Sequence, residues 1–197
     1  LGCTRVELGV QSVYEDALRQ VHRDHTVKDS IEAIKLLKNM GFKINAHMMP
    51  GLPGWSYQRD MKGLQQLFSD ERFRPDMLKI YPTMVMKGTP LYDQYQRGEF
   101  TPMDTKTATK LLGEFIPEVP RYVRIMRVQR DIPTVQTESG VDKTNLRQYV
   151  LEYMKQHGLK SQDIREREIR SGDFDEVLLH VMEYDASEGK EFFITID

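Results

Sequence analysis

The sequence predicts an α/β fold in which parallel β-strands form part of a barrel and helices connect them. Three apolar runs end abruptly among polar, glycine or proline residues: 5–12 (RVELGVQS), 43–55 (KINAHMMPGLPGW) and 77–83 (MLKIYPT). Helical patterns lie between these runs, and strands that alternate with helices form parallel βα units. Barrels of this kind carry their sites at the carboxyl ends of the strands. We therefore expect a functional site where these three runs end.

The predicted elements alternate along the first 156 residues. The strands cover residues 6–10, 42–49, 77–81 and 122–128. The helices cover residues 14–21, 27–40, 57–68, 105–115 and 146–156. The helix at 27–40 is the clearest, because its apolar residues recur at three- or four-residue spacing, Thr26 can cap its start and Gly41 can end it. Asp29 lies in its first turn, where an acidic side chain favours a helix.

Beyond the fourth strand the pattern changes. Residues 134–144 are polar and irregular, and residues 160–170 (KSQDIREREIR) are dense in both signs of charge, which is typical of a solvated, salt-bridged segment. From Asp173 the chain has a β pattern, with strands at 177–184 and 191–196 and the turn DASEGK between them. Two antiparallel strands form no independent domain, and four parallel strands are too few to close an eight-stranded barrel. We therefore expect an internal piece of a longer protein.

Composition excludes several classes of protein. The 197 residues are 39% hydrophobic and 29% charged, with a net charge of -2, which excludes a disordered chain. No apolar run approaches the roughly 20 residues of a transmembrane helix, so no membrane partner is expected. A single cysteine, Cys3, excludes an internal disulfide framework, cannot hold an iron–sulfur cluster alone and fits a cytoplasmic location. Because the net charge is close to zero, any surface that binds nucleic acid must be formed by a local group of basic residues.

Four segments carry a family resemblance: LGCTRVELGVQSVYEDAL, HRDHTVKDSIEAIKLLKNMGFKINAHMMPGLPG, RPDMLKIYPTMVMKGTPLY and YVRIMRVQRDIP. They resemble the catalytic subunit of Elongator, a family of radical S-adenosylmethionine enzymes fused to an acetyltransferase domain. The resemblance implies the later strands of a radical S-adenosylmethionine barrel at 1–133, a linker at 134–172 and the first strands of a GNAT-like acetyltransferase domain at 173–197.

The resemblance also implies an activity. It is the carboxymethylation of the wobble uridine of tRNA at C5, with S-adenosylmethionine, a 4Fe–4S cluster and acetyl-CoA. The cluster ligands and most of the acetyl-CoA site would lie outside this chain, which we expect to be inactive alone. Other Elongator subunits are possible partners. Two alternatives stay open: a non-catalytic scaffold or partner-binding segment, and a radical enzyme of the coproporphyrinogen-oxidase type, which shares GVQS.

Six residues near the strand ends are candidates for binding S-adenosylmethionine: Glu7, Gln11, Ser12, His47, Pro50 and Gly51. Gln11 and Ser12 offer an amide and a hydroxyl suited to the ribose or the methionyl group. Glu7 lies on the same strand face as Gln11, and its alternative role is to pair with a barrel lysine or arginine. His47 lies near the adenine position implied by related enzymes, and its alternative is a buried structural histidine. We expect Gln11, Ser12, His47 and Lys79 to converge on one cavity.

Lys79 and Tyr81 are the candidate catalytic residues. They alternate along KIYPT and therefore point to one face of the strand. A lysine within a buried parallel strand is costly unless it is paired or faces a polar cavity. Lys79 could bind a carboxyl group of the cofactor or part of the acetyl carrier, and its alternative role is an ion pair with Glu7 or a similar acid.

Basic residues supply a candidate tRNA surface. Arginines recur every three residues from Arg121 among apolar neighbours, and arginine suits phosphates and splayed bases. The candidate nucleic-acid-binding residues are Arg23, His25, Lys87, Arg124, Arg127 and Arg130.

No metal site is predicted. Some family members carry a zinc-binding CxCxxC stretch in the linker, and the corresponding positions here are Ser161, Asp163 and Glu166. Without thiolates a tetrahedral structural zinc site is not expected.

Overall fold

A parallel sheet with helices on one side organises the chain. The computed structural model describes residues 2–129, 137–169 and 177–196, so Arg130 lies outside the described residues. The strands are β1 Arg5–Gln11, β2 Lys43–Met48, β3 Met77–Ile80, β4 Val85–Met86, β5 Arg124–Val128, β6 Thr137–Ser139, β7 Leu179–Ala186 and β8 Gly189–Ile196. The helices are α1 Glu15–Gln20, α2 Val27–Asn39, α3 Tyr57–Ser69, α4 Pro90–Gln96, α5 Thr105–Phe115, α6 Leu146–Gln156 and α7 Ile164–Arg167.

The four predicted parallel strands form one sheet in the order β1-β2-β3-β5. Each neighbouring pair is parallel, which requires a crossover on every connection. The helices predicted from periodicity supply these crossovers. This confirms the α/β fold class expected from the alternation of elements.

One face of this sheet is apolar and packs against the helices. Ile44 and Ala46 of β2, Leu78 and Ile80 of β3 and Ile125 of β5 are wholly buried. They share one core with residues of α2, α3, α5 and α6, among them Ile34, Leu64, Leu67, Phe115 and Val150. Burying an aliphatic side chain of this size contributes about 1.5–3 kcal/mol. Because side chains alternate along a strand, the residues between these lie on the opposite face.

Local signals explain the best-predicted helix. The Thr26 hydroxyl accepts a hydrogen bond from the Asp29 amide at 3.1 Å, and the Asp29 carboxylate accepts one from the Thr26 amide at 2.7 Å. This reciprocal capping box starts α2. Gly41, with a φ of +79°, allows the chain to turn away after the helix.

Helices α4 and α7 and the ribbon of β4 and β6 were not predicted from the sequence. Helix α4 begins at Pro90 behind the cap Thr89 but buries none of its residues, so it has no apolar stripe to detect. Strands β4 and β6 pair antiparallel as a short ribbon, and both are too short to show periodicity. Residues 137–139, predicted to be irregular, belong to this ribbon. Among the described helices, none has the length and apolarity needed to cross a membrane.

Strands β7 and β8 form the predicted hairpin, but its turn is shorter than expected. Ala186 pairs with Gly189, and the two turn residues, Ser187 and Glu188, have φ of +50° and +67°. The hairpin contacts the amino-terminal side of the parallel sheet, where the Tyr184 ring stacks on that of Tyr122 with centroids 3.9 Å apart. Its outer face exposes apolar side chains: Leu179, Val181, Phe192, Ile194 and Ile196.

Candidate active site on the polar face of the sheet

The face of the parallel sheet opposite the helices is polar. Cross-strand pairing places Glu7 beside Asn45, His47 beside Lys79, and Lys79 beside Arg127. Paired residues of parallel strands, and residues two apart on one strand, share a face. We call this surface the polar face; its residues are Arg5, Glu7, Asn45, His47, Lys79, Arg124 and Arg127.

The Glu7 carboxylate lies at the centre of the polar face. Its Oε2 is 2.6 Å from Lys79 Nζ and 2.8 Å from His47 Nε2. Its Oε1 accepts a hydrogen bond from the side-chain Nδ2 of Asn45 at 3.3 Å. The hydrogen bond from Lys79, aided by that of His47, holds the pKa of Glu7 below its usual value despite partial burial. The proposed alternative of an ion pair between Glu7 and Lys79 is therefore what the structure shows.

The same contacts hold His47 in place. The rings of His47 and Tyr81 meet edge to face, with centroids 5.6 Å apart and an interplanar angle of 85°. The side chain of His47 is 23% exposed, so this histidine is partly rather than fully buried, and its role in binding stays a prediction.

A second group of polar side chains meets at the end of β1. Gln11 has a φ of +64°, which is uncommon for a residue other than glycine and is found at functional sites. A Cβ atom on Gly9 would lie 2.6 Å from Gln11 Nε2 and 3.1 Å from Arg23 Nη2. The missing side chain of Gly9 therefore leaves room for an amide and a guanidinium side by side. Sequence analysis had assigned Arg23 to the tRNA surface.

Ser12 lies apart from these groups. It is 7% exposed, and its hydroxyl accepts a hydrogen bond from the Tyr14 amide at 3.1 Å in the turn that leads into α1. Thus His47 and Lys79 meet at Glu7, Gln11 meets Arg23, and Ser12 is engaged in a local turn. Binding of the cofactor by these residues stays a prediction.

The loop that follows β2 is tightly packed. Pro50 and Gly51 are buried, and Gly51 has a φ of +84°. A Cβ at Gly51 would lie 3.3 Å from Met103 Cβ, so any larger residue would crowd this contact. The Pro50 carbonyl accepts a hydrogen bond from the Thr83 amide at 2.8 Å, which ties the loops after β2 and β3 together.

Asn45 is a polar-face residue that sequence analysis missed. It is wholly buried, and its Oδ1 has no hydrogen-bond partner. A signal was present, because Asn45 precedes His47 by two residues in an otherwise apolar strand and must share its face.

Comparison with known proteins decides the family. The Radical SAM superfamily model matches residues 1–63, and the Radical_SAM C-terminal domain model matches residues 75–156. The tRNA uridine(34) acetyltransferase of Methanocaldococcus jannaschii is 42% identical over all of this chain and 38% of its own length. Elongator complex protein 3 of Homo sapiens is 45% identical over 85% of this chain and 31% of its own length. The chain belongs to the family of the Elongator catalytic subunit.

A solved structure agrees with this assignment. The archaeal Methanocaldococcus infernus Elp3 with an N-terminal deletion is 41% identical, with a TM-score of 0.95 over all of this chain and 48% of that one. The chain therefore spans less than half of these Elongator-family relatives.

The predicted RNA-binding residues of this Elongator-family chain lie on several elements. Arg124 pairs with Met77 and Arg127 with Lys79, because a β-bulge intervenes, so both arginines lie on the polar face. Arg124 also forms a salt bridge with Glu168 at 3.0 Å. Lys87 on the ribbon is 3.1 Å from Glu138.

His25 lies close to the site on β1. Its Nε2 is 3.5 Å from the Val10 carbonyl oxygen, so the loop that carries His25 and Arg23 folds back on the end of β1.

The segment that contains Ser161, Asp163 and Glu166 packs on the sheet edge. Asp163 is wholly buried, so the expectation of a solvated segment at 160–170 is wrong there. Its Oδ2 accepts a hydrogen bond from the Ile125 amide of β5 at 3.1 Å, and its Oδ1 accepts one from the Ser161 hydroxyl at 2.8 Å. Glu166 pairs with Arg147 at 2.6 Å. In the described parts of the chain, no three His, Cys, Asp or Glu side chains are grouped to hold a metal ion.

Proposed function

We propose that this chain is the part of a tRNA-modifying enzyme that holds S-adenosylmethionine and substrate on the polar face. The activity would be the carboxymethylation of wobble uridine at C5 with acetyl-CoA as the carbon source. The observation that carries the proposal is the Glu7–His47–Lys79 cluster beside the Gln11–Arg23 pair, on a sheet that matches radical S-adenosylmethionine enzymes.

The donor set fits S-adenosylmethionine. The guanidinium of Arg23 suits its carboxylate and the amide of Gln11 suits its carboxylate or ribose, both in the space that Gly9 leaves. The unpartnered Oδ1 of Asn45 can accept a donor from a ligand or a water molecule. When bound, the cofactor supplies a radical that can abstract a hydrogen atom. The iron–sulfur cluster does not fit this chain, because Cys3 is its single thiol and is exposed.

The chain's own residues would orient the reactants. Ionised Glu7 accepts from His47 Nε2 and thereby selects the ring tautomer that carries its proton there. Lys79 has three N–H donors, of which Glu7 engages one, so its ammonium can also hold a carboxyl or carbonyl oxygen of the acetyl carrier. The ring of Tyr81 packs against that of His47 and therefore lies at the same end of the polar face.

The remaining chain would serve binding. Arg127, which pairs with Lys79, and Arg124, which pairs with Met77, would contribute guanidinium groups for the phosphates or bases of tRNA. The hairpin β7–β8 would begin the acetyltransferase domain, whose further elements would cover its exposed apolar face. Other Elongator subunits are proposed partners on the basis of relatives that are named Elongator complex protein 3.

The test is anaerobic reconstitution of the full-length protein that carries this chain, followed by assay of tRNA for C5-modified uridine. We expect product from the wild type, and at least a tenfold loss for Arg23→Ala and Glu7→Gln because each removes a charged hydrogen bond of roughly 1.5–3 kcal/mol. Arg97→Ala is the matched control, since its side chain pairs with Glu99 on the surface. The absence of modified uridine from reconstituted wild type would contradict the proposal.

A further inference from the structure

Residues 50–54, the PGLPG loop, begin three positions after His47, and the backbone of this loop forms the turn beyond the end of β2. Two of the loop's glycines, Gly51 and Gly54, have φ of +84° and +80°. Glycine allows the positive φ that two of the five loop positions adopt, but it does not stabilise this backbone conformation, because glycine is the least restricted residue. Something outside the loop must hold it.

Two adjacent side chains in the first turn of α3 contact the two ends of this loop. Asp60 Oδ2 accepts a hydrogen bond from the Gly51 amide at 2.6 Å. Arg59 Nη1 donates to the Gly54 carbonyl at 3.3 Å. We call Arg59 and Asp60 the loop clamp.

The clamp is itself anchored to the entry of α1. Arg59 Nη2 lies 2.5 Å from Asp16, and its guanidinium carbon lies 4.4 Å from the centre of the Tyr14 ring. The Tyr14 hydroxyl donates to the Arg59 carbonyl at 3.0 Å. The clamp therefore joins the segment that follows Gln11 at the end of β1 to the loop after β2.

Asp60 is an expensive residue for this position. Burial raises its pKa to about 6, although the Gly51 amide and nearby Arg59 favour the ionised form. The charged or titratable groups around it are Arg59 on its own helix, Tyr14 beside α1, and Asp16, which is paired with Arg59. Burying the Asp60 carboxylate lowers the stability of the fold, yet this carboxylate accepts a hydrogen bond from the Gly51 amide. Its presence is therefore better explained by the loop conformation that it holds than by a contribution to stability.

We infer that Asp60, with Arg59, is a positioning residue that sets the backbone of the PGLPG loop for binding S-adenosylmethionine. This inference rests on the proposed function. Asp60 acts through the Gly51 amide and need not touch the cofactor. Its ionised form makes the stronger, charge-assisted hydrogen bond, so cofactor affinity should weaken as the pH falls through about 6.

The experiment uses the full-length reconstituted protein and three variants. Asp60→Ala removes the acceptor, and Asp60→Asn keeps an acceptor oxygen without the charge. Asp76→Asn is the matched control, because Asp76 is also buried and accepts an amide of β2, that of Ile44 at 2.8 Å, but at the other end of the strand. The measurements are amide hydrogen exchange of residues 49–55 without cofactor, and S-adenosylmethionine binding by equilibrium dialysis from pH 5 to pH 8.

For Asp60→Ala we expect faster exchange of the loop amides and affinity lower by about tenfold or more. For Asp60→Asn we expect the affinity for S-adenosylmethionine at pH 7.5 to be within about tenfold of wild type. The change of affinity near pH 6 that Asp60 causes in the wild type should be absent from this variant. Asp76→Asn should lower stability and leave affinity and loop exchange unchanged.

Two results would overturn the inference. One is a folded Asp60→Ala protein with wild-type loop exchange and affinity. The other is equal loss of affinity in Asp60→Asn and Asp76→Asn, since that would reflect stability alone. Failure of the wild type to bind S-adenosylmethionine would instead contradict the proposed function, while the exchange data would still test the clamp.

Discussion

At the scale of single residues, the polar face depends on one carboxylate. Glu7 bridges Lys79 and His47, two cationic or polar groups that would otherwise be costly within a parallel sheet. The salt bridge with Glu7 offsets the cost of holding the Lys79 side chain, which is only 19% exposed, within the sheet. It also leaves Glu7 and His47 partly accessible, which a purely structural ion pair would not require.

We expect Lys79→Met to remove part of the acid dependence of stability. The pKa of Glu7 is lowered, so its stabilising contribution is present above its unfolded value of 4.5 and is lost as pH falls through the folded value. Because the Glu7 side chain is 39% exposed, the loss at pH 7 should be at most about 1 kcal/mol. Urea unfolding at pH 7 and pH 3 would measure it.

Lys28→Met is the control for this experiment. Lys28 pairs with Glu32 at 3.6 Å on an open helix face, where a salt bridge contributes little. An equal loss of stability in both variants, or a loss from Lys79→Met that persists at pH 3, would contradict the role assigned to the Glu7–Lys79 pair.

At the scale of elements, short segments hold the edge of the sheet. Helix α7 has four residues and buries none of them, yet its cap Asp163 accepts the Ile125 amide on β5. An edge strand has amides without a strand partner, and covering them prevents pairing with other chains. The segment that was expected to be solvated therefore covers the edge of the sheet, and its pattern of charges did not predict this role.

We expect Asp163→Ala to destabilise the fold by about 2–4 kcal/mol, because it removes a helix cap and leaves the buried Ile125 amide unpaired. Asp104→Ala is the matched control, since Asp104 caps α5 through the Thr107 amide at 2.7 Å. It should cost only about 1 kcal/mol. Thermal or urea unfolding would compare them, and equal losses would show that the Ile125 hydrogen bond contributes nothing.

At the scale of the whole molecule, the sheet separates two regions. The polar face carries Glu7 and its partners, and the hairpin β7–β8 packs at the amino-terminal side of the strands through Tyr184 and Tyr122. The Ser187 amide also donates to the Glu71 carbonyl at 2.8 Å. Substitutions on the polar face, where we propose that substrate binds, and substitutions at the hairpin contacts can therefore be tested separately.

We expect replacement of Arg124 and Arg127 by alanine to weaken tRNA binding. Each lost phosphate contact should reduce the slope of log affinity against log salt by about 0.7 to 0.9. Arg72→Ala is the control, because Arg72 is exposed and lies on the hairpin side, paired with Asp70. Salt-dependent binding of tRNA to the full-length protein measures the effect. Unchanged affinity in a folded double variant would locate the tRNA surface elsewhere.

Much of this fold was encoded in local sequence. The capping pair Thr26 and Asp29 and the apolar period of α2 predicted that helix correctly, because both depend on residues within a few positions of each other. Glu7, His47 and Lys79 were recognisable as candidates because burying a polar or charged side chain within a strand is unfavourable unless it has a partner or a ligand. The ribbon β4–β6 was missed because its strands are short and about fifty residues apart.

The sequence by itself determined the four parallel strands, most of the helices that connect them, the apolar faces that drive them together and the family. Tertiary structure alone decided that Glu7 Oε2 lies between Lys79 and His47, because that contact depends on the register of three strands. It alone placed Arg23 beside Gln11 over Gly9, and Arg124 and Arg127 on one face through a bulge. The physical reason is that periodicity specifies which side of an element a residue occupies, whereas contacts between distant elements depend on register and packing.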